Sequence, residues 1–265
     1  MRSHLLKLQF ITGLLIFIGS FLAQASQGID QQGIVFDAKK ALEIANQRIY
    51  YALENQSHDL NLSGLMGLTH FPPNIKSLQH LESISLANTS ITDISILARL
   101  TRLKVINISL SDIKDISAFK TLKKLEVLSL SNSKVKDLSP LENLTELRAV
   151  YLVNSPASDF SLLSNLVNLQ TLDLRHTSIK DLKVLKKLKK LRDINLSYTS
   201  IASLEQLSKF PLLEELELGY TQVSNFAEIN NFPSLRTLFV QSSKVTAINS
   251  EVNDEVKSKL RLIFY

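Results

Sequence analysis

The sequence predicts an α/β-type solenoid, a curved stack of short repeats with parallel strands along its concave face. Leucines recur 22 residues apart, eight times, at positions 81, 103, 125, 147, 169, 191, 213 and 235. Each begins the same phrase, as in Leu125-Glu-Val-Leu128-Ser-Leu130 and Leu169-Gln-Thr-Leu172-Asp-Leu174. One such unit cannot bury its apolar side alone, so the repeats must stack on one another.

The first 25 residues have the features of an export signal. Arg2 and Lys7 precede an apolar stretch that runs from Leu8 to Leu22. Ala23-Gln24-Ala25 fits the small-x-small rule for cleavage and predicts a mature chain that begins at Ser26. The alternative is an uncleaved membrane anchor, because residues 8–29 carry no charge and are long enough to span a bilayer. Both interpretations predict an exported protein, periplasmic or extracellular.

The remaining chain divides into three parts. Residues 26–59 are predicted to be a linker and a capping helix, with Asp37 as the residue that begins the helix. Residues 60–249 form the solenoid, whose first coil is about two residues longer than the others. Residues 250–265 form a C-terminal cap, for which Val252, Val256 and Leu260 at four-residue spacing predict a short helix.

Several columns appear when repeat positions are counted from the 22-spaced leucine. Positions 1, 4 and 6 are apolar and should point inward from a short strand. Position 2 alternates in charge through most of the coils, which predicts ion pairs between neighbouring strands. Position 9 is always Thr or Ser, and we expect these hydroxyls to bond to neighbouring turns. Position 13 is Asp in the first five coils, which is typical of a residue that caps a helix or closes a turn.

The unit L-x-x-L-x-x-L-x-L-x-x-T-x-I-x-D-(I/L)-S-x-L resembles the 22-residue leucine-rich repeat of bacterial internalins. The coil from Leu125 to Leu144 is the copy most similar to that pattern, and the likeness extends over most of residues 60–249. It implies a leucine-rich repeat horseshoe with turns or 3₁₀ segments on the convex face and helical caps at both ends. For function it implies a binding module. The family often has asparagine at position 9, where this chain has Thr or Ser.

Composition and motifs argue against catalysis. The formal charge of +5, from 30 Lys and Arg against 25 Asp and Glu, is too small to predict nucleic-acid binding. There is no cysteine, and the five histidines form no H-x-x-x-H pair. Motifs for a serine nucleophile, a P-loop or a dinucleotide site are also missing. We therefore predict no enzyme, no cofactor and no metal site.

The candidate binding face comprises positions 3, 5, 7 and 8, which should project from the concave side. Early coils carry small residues there, such as Ser83, Ser85 and Ala87, but later coils carry aromatic and charged residues. Aromatic residues are enriched at the centres of interfaces. Asp193 and Glu215 occupy one column and should repel each other, so a basic partner would relieve that cost. The predicted partner-binding residues are Tyr151, Asp173, Arg175, His176, Asp193, Tyr198, Glu215, Glu217, Tyr220 and Phe239. The alternative is random variation of an exposed surface.

A second candidate surface is basic. Lysines crowd the convex side of one coil, and this pattern favours attachment to an anionic envelope surface or glycan as an alternative function. A solubilising outer face explains the same pattern. The residues are Lys180, Lys183, Lys186, Lys187, Lys189 and Lys190. We expect a monomer whose partner is a protein or peptide with basic residues.

Overall fold

The computed structural model describes residues 34–241 and 244–264, so the predicted export signal lies outside the described part of the chain. Ten short strands form one parallel sheet, and they follow one another in the sheet as they do in the chain. The strands are β1 Asp59–Asn61, β2 Ser83–Ser85, β3 Val105–Asn107, β4 Val127–Ser129, β5 Ala149–Tyr151, β6 Thr171–Asp173, β7 Asp193–Asn195, β8 Glu215–Glu217, β9 Thr237–Val240 and β10 Arg261–Phe264. This consecutive parallel pairing confirms the predicted solenoid.

Strand register follows the repeat. Thr171 lies opposite Asp193, so equivalent positions of neighbouring coils become neighbours in space. The first step is longer by two residues, because Asp59 lies opposite Ser83. The eight 22-spaced leucines are at most 7% exposed and belong to one continuous core. Each buried leucine contributes about 1.5–3 kcal/mol, so this interior is the main stabilising feature of the stack.

The convex side consists of 3₁₀ segments, which are Pro73–Ser77, Ser95–Arg99, Ser117–Thr121, Ser139–Leu141, Ser161–Asn165, Leu182–Leu185, Leu207–Lys209 and Ala227–Asn231. The position-13 aspartates close the turns that lead into these segments, as predicted, and Asp181 also caps Leu182–Leu185. Asp137 Oδ1 accepts the backbone N–H of Ser139 at 2.8 Å. The hydrogen bonds from the backbone and the hydroxyl of Ser139 lower the pKa of Asp137. Asp93 accepts the same kind of bond at 2.8 Å and its pKa is lowered in the same way.

From Thr89 to Thr221, the hydroxyls at position 9 form hydrogen bonds within their own coil. Thr89 Oγ1 donates to the Leu86 carbonyl at 2.8 Å, and Thr199 Oγ1 donates to the Leu196 carbonyl at 2.6 Å. The predicted bonding to neighbouring turns is therefore wrong. The chain turns sharply after the strand and brings the hydroxyl to the carbonyl three residues earlier, whereas the next coil lies about 4.8 Å away. The structural role of the column is confirmed.

The charged column at position 2 forms ion pairs between coils, as predicted. The pairs are Glu82 with Lys104 at 2.7 Å, Glu126 with Arg148 at 3.6 Å, and Arg192 with Glu214. All of these side chains are partly exposed, so each pair contributes little to stability, on the order of 0–1 kcal/mol. Their common effect is to favour the correct register over a slipped one.

Helix α1, Ala38–Glu54, packs against β1 and caps the N-terminal end of the stack. Asp37 begins the helix, and its side chain accepts the N–H of Lys40 at 2.6 Å. The inner face buries Ala41, Ala45, Ile49 and Ala52. The predicted N-terminal capping helix is confirmed.

The C-terminal cap is helical, as predicted, but it also contains a strand that the sequence analysis did not predict. Helix α2, Val245–Glu251, is followed by α3, Asp254–Lys259. Asn253 separates them, because its side chain accepts the N–H of Val256 at 2.9 Å and starts a new helix. Strand β10 then pairs with β9 in parallel, with Ile263 opposite Phe239.

Candidate binding site on the concave face

The predicted partner-binding residues lie around the outward-facing side chains of β5 to β8. In these strands Leu172, Ile194 and Leu216 point into the core, and the residues on either side of them point outward. The outward side chains surround an open depression of about 230 Å³. Its lining includes six of the predicted residues: Tyr151, Asp173, Arg175, Asp193, Glu215 and Glu217. The repeat register has thus brought together residues that span 67 positions of the sequence.

The depression is acidic. Asp173, Asp193, Glu215 and Glu217 contribute four negative charges and Arg175 one positive charge, so the formal charge of the lining is 1 − 4 = −3. Asp193 and Glu215 lie directly opposite each other on β7 and β8. Neighbouring strands are about 4.8 Å apart, and like charges at this separation destabilise a sheet. The lining is therefore suited to a cationic group.

Arg175 folds back over the end of β6 and forms a two-pronged ion pair with Asp173. Its Nη2 donates to Oδ2 at 2.7 Å, and its Nε donates to Oδ1 at 3.0 Å. The Asp173 side chain is only 10% exposed, whereas that of Arg175 is 44% exposed. The carboxylate therefore lies at the floor of the depression, with the guanidinium above it.

Tyr151 adds a neutral hydroxyl to the acidic lining. Burial, together with the carboxylates of Asp173 and Asp193, raises the pKa of Tyr151 to about 12. The phenol therefore remains protonated at neutral pH and is available as a hydrogen-bond donor. The sequence analysis did not include Thr171 and Asn195, which also line the depression. Thr171 Oγ1 donates to Asp193 Oδ2 at 3.3 Å. Thr171 and Asn195 could have been identified from the sequence, because they occupy repeat positions 3 and 5.

An aromatic column stands beside the depression, at repeat position 8. The rings of His176 and Tyr198 stack at 4.1 Å between centroids, and those of Tyr198 and Tyr220 stack at 4.5 Å. Tyr198 is 47% exposed and Tyr220 is 52% exposed. The three rings thus form a continuous apolar edge along three coils, which we call the aromatic column.

The backbone at position 8 is left-handed in these coils. The φ angles are 55° at His176, 59° at Tyr198 and 57° at Tyr220. Asn132 and Asn154 take the same conformation at the same position, and asparagine tolerates it better than other residues with a side chain. Bulky aromatic residues there are costly, and such costs concentrate at functional sites. The sequence analysis placed these residues on the concave face but did not predict their conformation or their stacking.

Phe239 lies on β9, directly opposite Glu217, and extends the surface by one coil. The structure thus brings all ten predicted residues onto one continuous region of the C-terminal half of the sheet.

The lysine-rich surface lies apart from this region, on the convex side. All six lysines are exposed. Lys190 Nζ donates to Asn168 Oδ1 at 2.6 Å, and Lys189 Nζ donates to the Lys209 carbonyl at 3.2 Å. Lys189 also lies 5.5 Å above the Phe210 ring. Two of the six ammonium groups therefore bond to neighbouring coils.

Within residues 34–241 and 244–264, no group of three or more His, Asp or Glu side chains is arranged to hold a metal ion. In that same part of the chain, no helix has the length and hydropathy needed to cross a bilayer.

The sequence matches a known repeat family in two segments. Residues 79–121 and 167–209 each match the family described as Leucine Rich repeats (2 copies). Comparison with curated proteins gives no match. Both segments therefore carry leucine-rich repeats.

Solved structures identify the type of repeat more closely. An internalin (inlF) from Listeria monocytogenes superposes with a TM-score of 0.70 and 23% identity, covering 88% of this chain and 78% of that one. Internalin C2 from the same species gives a TM-score of 0.69 and 26% identity over 76% of this chain and 92% of that one. A leucine-rich repeat protein from Leptospira interrogans gives 0.63 and 22% over 74% of this chain and 52% of that one. The fold is internalin-like, as the repeat pattern predicted.

Proposed function

We propose that this chain is a non-enzymatic, protein-binding leucine-rich repeat module of an exported protein. It recognises a protein or peptide segment with basic residues through the C-terminal half of the concave face. The observation that supports this most strongly is the acidic depression with the aromatic column beside it. The formal charge of −3 in the lining is complementary to a cationic side chain, and the ring edges offer apolar area next to it.

The aromatic column has the properties of an interface hot spot. Large exposed aromatic rings that are already held in place lose little conformational entropy on binding, and Tyr is enriched among hot spots. Tyr198 and Tyr220 hold each other by stacking, and their backbone conformation is unfavourable for tyrosine. A residue that stabilises the fold poorly at its own position is better explained by a contact with a partner.

The shape of the site also favours binding over catalysis. Ligand and active sites of enzymes are usually concave pockets that exclude most water from the reacting groups. Here the carboxylates line an open sheet surface, and Asp173 forms an ion pair with Arg175. This arrangement suits recognition of a protruding basic side chain.

The test is a pull-down with the chain from Ser26 to Tyr265, followed by affinity measurement on the captured protein. The aromatic variant is Tyr198→Asn/Tyr220→Asn, and the acidic variant is Asp193→Thr/Glu215→Thr. Each substitution introduces a residue that another coil carries at the same position, namely Asn154 or Thr171, so the fold is retained. We expect both variants to bind the partner at least about tenfold more weakly, as loss of hot-spot residues does. Unchanged affinity in both variants would contradict the proposal.

The alternative function is attachment to an anionic envelope surface or glycan through the lysine-rich convex side. The concentration of six exposed lysines on one coil supports it. The variant Lys180→Ser/Lys183→Ser/Lys186→Ser is matched, because the preceding coil carries Ser158, Ser161 and Ser164 at the same positions. Retention on vesicles with anionic headgroups that falls with added salt and with this variant favours the alternative. Retention that neither salt nor the variant changes speaks against it.

Export and monomeric state are part of the same proposal. The signal-like residues 1–25 support export, and the two capped ends of the stack support a monomer. N-terminal sequencing of the protein recovered from the periplasm or the medium tests the first, with Ser26 as the expected first residue. Light scattering tests the second.

A further inference from the structure

Asp173 has a structural role that does not need its charge. Its Oδ1 accepts the backbone N–H two residues later, at 3.1 Å. In three other coils an asparagine at the same position accepts the equivalent bond at 2.8–3.0 Å; these are Asn61, Asn107 and Asn195. An amide therefore closes this turn as well as a carboxylate does. The negative charge at position 173 requires another explanation.

Arg175 departs from its column together with Asp173. The same position is serine in four other coils, at Ser63, Ser109, Ser131 and Ser197. Only in the coil of β6 do a carboxylate and a guanidinium stand two residues apart on this face. They form a fork with donor–acceptor distances of 2.7 Å and 3.0 Å, at the floor of the acidic depression. The depression thus already contains one bound guanidinium, which belongs to the chain itself.

We infer that Arg175 occupies the position at Asp173 that a guanidinium of the partner would take. Arg175 therefore competes with the partner for Asp173 and lowers the affinity of the site. This inference rests on the proposed function and specifies the ligand as an arginine-bearing segment. The partner's arginine replaces Arg175 at Asp173, and Arg175 moves out towards solvent, into which its side chain is already 44% exposed. Asp193 and Glu215 then lie next to the incoming cation as further acceptors.

Arginine fits this site better than lysine. A guanidinium presents parallel N–H donors that match both oxygens of a carboxylate, whereas an ammonium is a point charge without that geometry. Tyr151, held protonated at neutral pH, has a flat ring at the edge of the same depression. Guanidinium planes stack on such rings.

The experiment uses a fluorescein-labelled tetra-arginine amide and measures its binding by fluorescence anisotropy at low salt. The variants are Arg175→Ser and Asp173→Asn/Arg175→Ser, and the double variant has the Asn-x-Ser sequence that the next coil carries at Asn195 and Ser197. The formal charge of the lining becomes −4 in the single variant and returns to −3 in the double variant. Arg175→Ser should bind the probe about tenfold more tightly than the wild type, because one competing charge is removed from beside the ligand. In the double variant the gain should disappear, leaving the affinity within about threefold of the wild type.

The outcomes separate the inference from the proposed function. If the wild type binds the probe and Arg175→Ser binds it no more tightly, the competitor role is wrong while the basic-partner proposal survives. If the gain persists in the double variant, which lacks Asp173 and has the same formal lining charge as the wild type, the probe does not bind at Asp173, and this outcome also overturns the inference. If neither the wild type nor Arg175→Ser binds the probe, both the inference and the acidic site fail. A tetra-lysine amide serves as the specificity control, and Arg175→Ser should gain less affinity for it than for tetra-arginine; an equal gain would overturn the assignment of a guanidinium.

Discussion

Replacing Tyr198 by asparagine should cost less stability than replacing it by alanine, although alanine is the usual neutral choice. Either change removes two ring stacks, at 4.1 Å and 4.5 Å, each of which contributes about 0.5–1.5 kcal/mol. The backbone at Tyr198 has φ 59°, a conformation that costs a residue with a Cβ about 1–2 kcal/mol. Asparagine adopts this left-handed conformation at little cost, whereas alanine incurs the full free-energy cost. We therefore expect Tyr198→Ala to lose about 1–3 kcal/mol, and Tyr198→Asn to lose about 1 kcal/mol less.

Urea unfolding followed by circular dichroism measures this difference. The midpoint should fall further for alanine than for asparagine, with the slope m unchanged, because the exposed surface is nearly the same. Asn154→Ala is the matched control. It places alanine at φ 54° in a coil with no ring stack, and it also removes the bond from Asn154 Nδ2 to Asn132 Oδ1 at 3.1 Å. If Tyr198→Ala proves as stable as Tyr198→Asn, the left-handed backbone carries no cost, and the argument that the aromatic column is retained for binding is refuted.

Three further predictions concern the framework of the fold. Leu172→Ala, at a fully buried position, should cost about 3 kcal/mol and lower the Tm by about 6–12 °C in calorimetry; an unchanged Tm would contradict the continuous core. Gly67→Ala should loosen the N-terminal cap, since a Cβ there would lie 2.5 Å from the Phe36 carbonyl oxygen, and amide exchange in α1 should accelerate; protection equal to that of the wild type would argue against it. The pKa values of Asp93, Asp137 and Asp159 are lowered in the folded state from the ordinary value of 3.8. Each carboxylate therefore stabilises the fold above pH 3.8, and this stabilisation is lost as the pH falls through the folded pKa. Asparagine at three of these turn-closing positions should therefore make acid unfolding below about pH 4 less steep. The residues are Asp93, Asp137 and Asp159. An unfolding curve identical to that of the wild type would exclude these aspartates as the cause of the pH dependence.

The fold was predictable from the sequence because the repeat period alone determines which residues become neighbours. Once Leu147, Leu169 and Leu191 occupy one column, the register of every strand between them is fixed, and so is the membership of each outward column. The ten candidate residues were found in this way, and the structure places them side by side. Strand β10 was not predictable by the same route, because its four residues follow two helices that interrupt the period.

Local conformation at the site was harder to predict. The sequence did contain an indication of the left-handed backbone at position 8, because Asn88, Asn132 and Asn154 occupy that position and asparagine is typical of this conformation. The stacking of Tyr198 on its neighbours depends on side-chain rotamers, which a repeat pattern does not contain. The fork between Arg175 and Asp173 was missed for the same reason, because residues two apart on a strand are expected to point the same way without touching.

A repeat protein offers its own control for separating structural from functional residues. Every coil adopts the same backbone geometry, so a residue type that most coils carry at a given position is sufficient for folding at that position. Serine or asparagine is sufficient at positions 5, 7 and 8, as the coil of Ser129, Ser131 and Asn132 demonstrates. The coils of β6 to β8 replace several of these small polar residues by charged or aromatic ones, and the aromatic ones at position 8 occupy an unfavourable backbone. At position 3, β7 and β8 add the like charges of Asp193 and Glu215, which lie opposite each other. Because folding does not require these replacements and is opposed by several of them, contact with another molecule is their most economical physical explanation.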